Sequence, residues 1–287
     1  MAGDTVWLWA AFLGLLVGSF ANVVIHRLPR MMQRQWDQEA RQWLSGQDND
    51  GNRDADPTAC ESPYNLARPA SHCPACGHRL TWPEKLPVLG YMLLRGHCSA
   101  CGAAIGWRYL AVELCVAALF AACAWRWGVT PQALAWALFA ATLLVLACID
   151  WDTQLLPDDL TLPLLWAGLI AAALGWTDLD LSDSLWGAVA GYLLLWIIHQ
   201  GFKVITGKQG MGQGDFKLLA ALGAWLGWPA LLPLVLLSSS AGVLVGLSLR
   251  AAGRLEPGEP LPFGPALSAA GLFLMFWPER IGPGLWF

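Results

Sequence analysis

The feature that most constrains this chain is a succession of apolar stretches of membrane-crossing length, separated by segments that hold nearly all the charge. A hydrocarbon core about 30 Å thick takes roughly 20 helical residues to cross. Stretches of this kind fall at 6–25, 109–127, 131–150, 158–176, 185–203, 217–229, 230–250 and 262–279. Backbone polar groups find no water in lipid, so each stretch is expected to be a helix. The expectation is an all-α polytopic membrane protein of about eight helices, or seven if 217–229 enters the bilayer only partly. Composition agrees: 56% of residues are hydrophobic and 13% charged, where a soluble chain carries roughly a quarter charged. The run from Val6 to Ile25 has no Lys or Arg before it, and Arg27 and Arg30 follow it. A secretory signal has the opposite order, so this run is expected to be a retained first span.

Charge placement orients the spans. With the N-terminus in the periplasm, segments 26–108, 150–158, 203–217 and 250–261 are cytoplasmic. These hold all the Lys and Arg except Arg126 and Arg280, as the positive-inside rule requires. The acidic loop 177–183 falls on the other side. Three parts are therefore expected: a first span at 1–25, a cytoplasmic loop at 26–108, and a multi-span core at 109–287. Within the loop, a short helix is expected over 31–44. Residues 33–65 are too polar as a whole to bury a core of their own.

The loop carries Cys73-x2-Cys76 and Cys98-x2-Cys101. Two CxxC turns, each placing two thiolates on one side of an ion, suit tetrahedral zinc. The alternative is two disulfides, which a cytoplasmic location disfavours because thiols stay reduced there. Four protein ligands leave no open position, so the metal is expected to be structural. His72, His78, Arg79, Arg95 and His97 can offset the negative charge of four thiolates. Cys115, Cys123 and Cys148 read as small apolar residues within spans, and Cys60 lies in the linker.

Acidic residues at the ends of apolar spans are costly, so they point to function. One group is Asp150, Asp152, Asp158 and Asp159, after the span at 131–150. The other is Asp215, in Gly212-Gln213-Gly214-Asp215-Phe216-Lys217. Both fall on the same face in the topology above, which did not use them. Two carboxylates meeting at one depth share a proton, one then activating a water and the other protonating the leaving group. Gly212 and Gly214 allow close backbone approach, and Lys217 is placed to support Asp215 or to reach the interface. The plainer readings are a solvated helix end for Asp150 and an N-cap for Asp215. Spacing alone does not decide between these, nor among the acidic residues of the first group. Glu113 reads either as a partner of Arg108 or as a residue of methyl transfer. The small-residue faces Gly14/Gly18/Asn22, Gly187/Gly191 and Gly242/Gly246 suit helix packing.

Several segments together resemble the type IV prepilin peptidases. They are Gly18 through Pro29, the double CxxC, Leu86-Pro87-Val88-Leu89, Arg108-Tyr109 with Val112-Glu113, Ile149-Asp150 with Leu156-Pro157-Asp158, Gly212 through Leu218, and Pro262-Phe263-Gly264-Pro265. The likeness runs from about 12 to 275, departing mildly at Gly106-Trp107 and Leu110. It implies a GxGD-type aspartic peptidase of the bacterial inner membrane whose catalytic pair is Asp150 and Asp215. It also implies a cytoplasmic active site, and cleavage after glycine of basic leaders on prepilins and type II secretion pseudopilins. The double CxxC is implied to be a small zinc-ribbon-like insertion. It goes, by the same resemblance, with methylation of the new N-terminal residue, usually Phe, by S-adenosylmethionine. No glycine-rich Rossmann fingerprint locates a site for that cofactor. The partners expected are these precursors and the lipid bilayer, with no nucleic acid. A transporter using Asp150 and Asp215 as a proton relay would need paired broken helices in related halves, and no such repeat is seen. A membrane scaffold whose zinc-binding part docks a partner is the other alternative.

The orientation has a direct test. A reporter active only in the periplasm is expected to work when fused within 177–183 and to fail near Lys208. The reverse pattern would remove the shared face of the two aspartates.

Overall fold

The computed structural model describes residues 5–47, 64–207, 211–254 and 261–277. Outside segments 64–82 and 94–106 the described residues are mainly helical: α1 (Val6–Gln47), the short α2 (Leu89–Leu93), α3 (Trp107–Trp127), α4 (Pro131–Thr153), α5 (Asp158–Ala173), α6 (Leu181–Thr206), α7 (Gln213–Leu226), α8 (Leu231–Ala251) and α9 (Gly264–Phe276). Among these, α1, α3, α4, α6 and α8 are long and apolar enough to cross a membrane. Each of the eight apolar stretches has a helix at its place. However, α5, α7 and α9 have 16, 14 and 13 residues, short of the usual span length.

Two features differ from the sequence reading. The first span and the helix expected at 31–44 form one continuous α1, with Pro29 inside it. The change of polarity after Ile25 suggested a break. A helix satisfies its own backbone in water as in lipid, so polarity alone does not stop it. The second difference is the start of the sixth stretch. Its helix begins at Gln213 rather than 217, which brings Asp215 into the first turn. The linker segment at 48–63, with Cys60, lies outside the described residues.

The chain divides into two compact units, 13–117 and a second made of 1–12 with 118–287. In the larger unit, α7 packs chiefly against α6 and α5, while α9 packs against α4 and α8. From Phe216 to Leu226 every residue of α7 except Lys217 is buried, so α7 is the axis of this unit. Its approach to α6 is made by glycines. A Cβ on Gly191 would lie 2.7 Å from the Leu219 carbonyl oxygen, and one on Gly187 would strike the Gly223 carbonyl. Small residues of this kind let helix backbones meet where there is no water to drive association. Gly242 differs, because a Cβ there meets nothing within 4 Å among the described residues.

Polar anchors reinforce the packing. The Ser184 hydroxyl donates to the Ala224 carbonyl at 2.6 Å, and the Trp225 indole N–H donates to the Leu164 carbonyl at 2.8 Å. Trp225 also packs with Trp136 and Phe139, at centroid separations of 5.2 and 4.8 Å. The outward faces carry large apolar side chains such as Trp166, Ile170, Trp186, Ile197, Leu232 and Leu244. Exposed apolar area of this extent marks a surface made for lipid.

In the smaller unit, α1 and α3 cross closely at Gly18, where a Cβ would lie 2.8 Å from the Glu113 Cα. Asn22 donates to the Tyr109 carbonyl at 3.0 Å one turn further on. Buried Arg27 holds the incoming loop, donating to the Asn65 and Leu66 carbonyls at 3.1 and 3.2 Å.

Adding one carbon atom tests the α6–α7 contact. Gly187→Ala is expected to lower the unfolding temperature in detergent, at an overpacking cost of about 1–3 kcal/mol. Gly242→Ala is expected to leave it unchanged or raise it slightly. Equal effects at the two positions would refute the close approach.

Candidate active site

Asp150 sits in the last turn of α4. The helix starts at Thr130, whose hydroxyl accepts from the Ala133 N–H, with Pro131 in the first turn. It stops at Gln154 in the left-handed conformation, whose N–H donates to the Asp150 carbonyl. Asp150 is 5% exposed, whereas Asp152, Asp158 and Asp159 are exposed. Burial thus separates Asp150 from its three sequence rivals, which spacing could not do.

The Asp150 carboxylate is met by backbone. The Gly264 N–H, at the start of α9, donates to Asp150 Oδ2 at 2.9 Å. A Cβ at Gly264 would lie 2.7 Å from that oxygen, so only glycine permits this approach. Among the described residues, this is the partner that sequence reasoning missed. Pro262-Phe263-Gly264-Pro265 stood among the family segments without a role, and a Gly between two such residues at a helix start was the available signal.

Asp215 lies in the first turn of α7 and is 8% exposed. The positive end of the helix dipole favours an acidic side chain there. The N-cap is Gly212, not Asp215. Asp150 and Asp215 are thus the two buried carboxyls at the ends of α4 and α7. Gly214 brings this turn against the α4–α5 connection, where its Cβ would lie 2.7 Å from the Leu156 Cβ. Among the described residues, Gly212 has no such neighbour, and a Cβ there meets only Asp215 Oδ2, at 3.8 Å. Lys217 Nζ is bonded to both Asp158 oxygens, at 2.6 and 2.7 Å. Its support is therefore a tie between the starts of α7 and α5. Asp158 is half-exposed, so the tie itself contributes at most about 1 kcal/mol.

In the smaller unit, the two CxxC turns have the same construction. Cys73 N–H donates to His78 O and Gly77 N–H to Cys73 O; Cys98 N–H donates to Ala103 O and Gly102 N–H to Cys98 O. Gly77 and Gly102 both take positive φ, 73° and 69°. Paired bridges, His72 with Arg79 and His97 with Ala104, close each turn. Within each turn the amides aim at sulfur. The Cys76 and Ala75 N–H groups draw the Cys73 thiol down to about 7, and those of Cys101 and Ala100 lower Cys98.

All four Sγ atoms lie within 4.8 Å of one another, with Cys73–Cys101 and Cys76–Cys98 each at 3.9 Å. A zinc tetrahedron with bonds of ~2.3 Å has edges of ~3.8 Å, so the four sulfurs fit that ion. The cysteines are free thiols, which removes the disulfide alternative. Glu84 braces the turns, accepting from the Ser99 hydroxyl and, at 2.7 Å, from the Thr81 N–H. These bonds hold its carboxyl down to about 2, the Ser99 bond contributing most. Glu113 accepts from the Val88 N–H at 2.8 Å and from the Ser19 side chain.

Two sequence profiles match the chain in order: a bacterial peptidase A24 N-terminal domain over residues 12–127, and the type IV leader peptidase family over 137–247. Among curated proteins, a Pseudomonas aeruginosa prepilin leader peptidase/N-methyltransferase is 49% identical over 94% of this chain and 89% of its own length. Proteins of the same name from Stutzerimonas stutzeri and Aeromonas hydrophila are 48% and 45% identical. These cover 96% and 98% of this chain, and 91% and 95% of their own lengths. No solved structure matches it. Relatives this similar over nearly their whole length leave one assignment: the chain belongs to the type IV leader peptidase family.

Proposed function

We propose that the chain is a bifunctional enzyme of a bacterial inner membrane, acting on type IV prepilins and type II secretion pseudopilins. It cleaves their basic leaders after glycine at the cytoplasmic face and then N-methylates the new N-terminal residue, usually Phe. The observation that carries the peptidase half is the burial of both Asp150 and Asp215, at the ends of α4 and α7, in an apolar bundle. Eight traverses fit this reading, with α5, α7 and α9 as short ones. Segment 1–25 is then the first span, 26–108 the cytoplasmic loop with its zinc ribbon, and 109–287 the peptidase core.

The chemistry follows from two carboxyls sharing one proton. The ionised carboxylate takes a proton from water as the water oxygen attacks the scissile carbonyl carbon. The neutral carboxyl gives its proton to the carbonyl oxygen. The tetrahedral intermediate then collapses, the C–N bond breaks, and the leaving amine takes a proton from the pair. The Gly264 N–H fixes one Asp150 oxygen, leaving the other for water. The GxGD turn brings Asp215 in beside the α4–α5 connection. In the smaller unit, Cys73, Cys76, Cys98 and Cys101 hold a structural zinc, which supplies a cross-link to a loop with little core. S-adenosylmethionine supplies the transferable methyl group.

Asp150→Asn and Asp215→Asn are each expected to reduce leader cleavage by ~10²–10⁴-fold or more, with zinc content unchanged. Because the pair acts as a unit, the double variant is expected to be no worse than either single one. Asp152→Asn and Asp158→Asn are expected to remain active. A purified Asp150→Asn enzyme processing prepilin at near the wild-type rate, with Asp152→Asn dead, would move the first carboxylate by two residues. The zinc reading is tested separately: any one Cys→Ser change among the four is expected to abolish stoichiometric zinc and to loosen the loop to proteolysis. Metal-free wild-type protein would refute it.

A further inference from the structure

The smaller unit contains a cavity of about 770 Å³, bordered by the cysteine cluster through Cys73 and Cys98. It is walled by one face of α1 from Leu16 to His26, by the two CxxC turns, by segment 82–91, and by residues 103–113, which lead into and begin α3. Its size lies within the roughly 300–1,000 Å³ of small-molecule sites. Most of the lining is apolar. Four aromatic rings, Phe20, Trp82, Tyr91 and Tyr109, and two carboxylates, Glu84 and Glu113, also face it.

The Glu113 carboxylate is fixed with unusual care. The Val88 N–H meets it at 2.8 Å, and Val88 holds φ 58° and ψ −49° to do so. The Leu89 N–H closes this tight turn onto the Pro87 carbonyl. A β-branched residue at positive φ is a true outlier. Such strain persists where the surroundings over-determine it, and it concentrates at ligand sites. The close crossing at Gly18 fixes the same residue from the other side, because α1 lies against the Glu113 backbone. The ligand must therefore suit an apolar, aromatic cavity with anionic groups in its wall: a flat ring joined to a cation. Rim groups Lys85 and His26 suit a carboxylate on the same molecule.

We infer that this cavity binds S-adenosylmethionine, with Glu113 facing the cationic sulfonium and ammonium groups and the aromatic rings holding the adenine. The assignment rests on the methyl-transfer half of the proposed function and gives that half a place. Cation–aromatic contact adds to the carboxylate's attraction, and Trp82, which is 73% exposed, can close over the ring without disturbing the core.

The test uses the purified, zinc-loaded full chain and radiolabelled S-adenosylmethionine. Photo-crosslinking followed by peptide mapping is expected to place the label within 82–91 or 104–113. In equilibrium dialysis, Glu113→Gln is expected to weaken binding by about tenfold or more, the loss of a charge-assisted contact. Trp82→Ala is expected to weaken it as well. Zinc content and unfolding temperature report whether each variant is folded, and Trp82→Ala keeps the test decisive if Glu113→Gln is not. Label mapping to 210–225 or 261–277, or wild-type affinity in both variants, would overturn the inference while leaving methyl transfer intact. Wild-type protein that neither binds the donor nor methylates a cleaved prepilin would remove the methyl-transfer reading itself. Asp215→Asn is expected to bind the donor normally, which separates this site from the peptidase.

Discussion

A carboxylate inside an apolar helical bundle survives only if something polar is brought to it, and here that something is backbone. The Gly264 N–H reaches Asp150 because α9 begins there and because glycine has no Cβ to prevent the approach. Asp215 is held in the first turn of α7, where free amides and the helix dipole favour an acid. The site is therefore assembled from helix ends, α4 stopping at Gln154, α7 starting at Gly212 and α9 starting at Phe263. The packing of α7 between α5 and α6 keeps those ends in register. Backbone donors do not need long side chains to be ordered, so they fix the carboxylate at little entropic cost.

The smaller unit solves a different problem by a related device. A loop of this polarity cannot bury enough apolar surface to order itself. Its two knuckles order it through repeated turns, each with a positive-φ glycine after the second cysteine and amides aimed at the first sulfur. The duplication explains why the four sulfurs converge on one volume suited to a tetrahedral ion. Glu84 links the two knuckles through Ser99 on one and His78 on the other. Its side chain is mostly covered in the static structure, but its carboxyl stays ionised because donors, not solvent, satisfy it.

Much of this was legible in the sequence, and the reasons are physical. Apolar length calls for helices, so each stretch found a helix at its place, although α1 runs on far past Ile25. CxxC spacing fixes local turns, so the cysteine cluster could be named before its geometry was known. Asp150 was separable from Asp152, Asp158 and Asp159 only by resemblance, because all four cluster around the α4–α5 connection and their burial depends on distant segments. The Gly264 contact joins residues 114 apart in sequence, and no local pattern encodes such a meeting. The same holds for Lys217, four residues on from Gln213 on α7, whose partner Asp158 belongs to α5. Continuity of α1 past Pro29 was hidden for another reason: hydropathy reports the solvent around a helix, not whether the helix continues.

The lengths of the helices at the site bear on its chemistry. With a rise of 1.5 Å per residue, the 14 residues of α7 extend only ~21 Å, against a hydrocarbon core of about 30 Å. Such a helix cannot carry both ends to opposite surfaces. Across a membrane, a helix of this length either thins the bilayer or keeps one end below the surface. The C-terminal end, Ala224-Trp225-Leu226, is buried against protein and needs no water. The N-terminal end carries Asp215 and the unsatisfied amides of a first turn, and these need polar company. Hydrolysis inside a membrane needs that same company, because water and an extended peptide must meet at one depth. In the peptidase proposed above, a short helix that begins in GxGD meets both needs at once, holding Asp215 in its first turn.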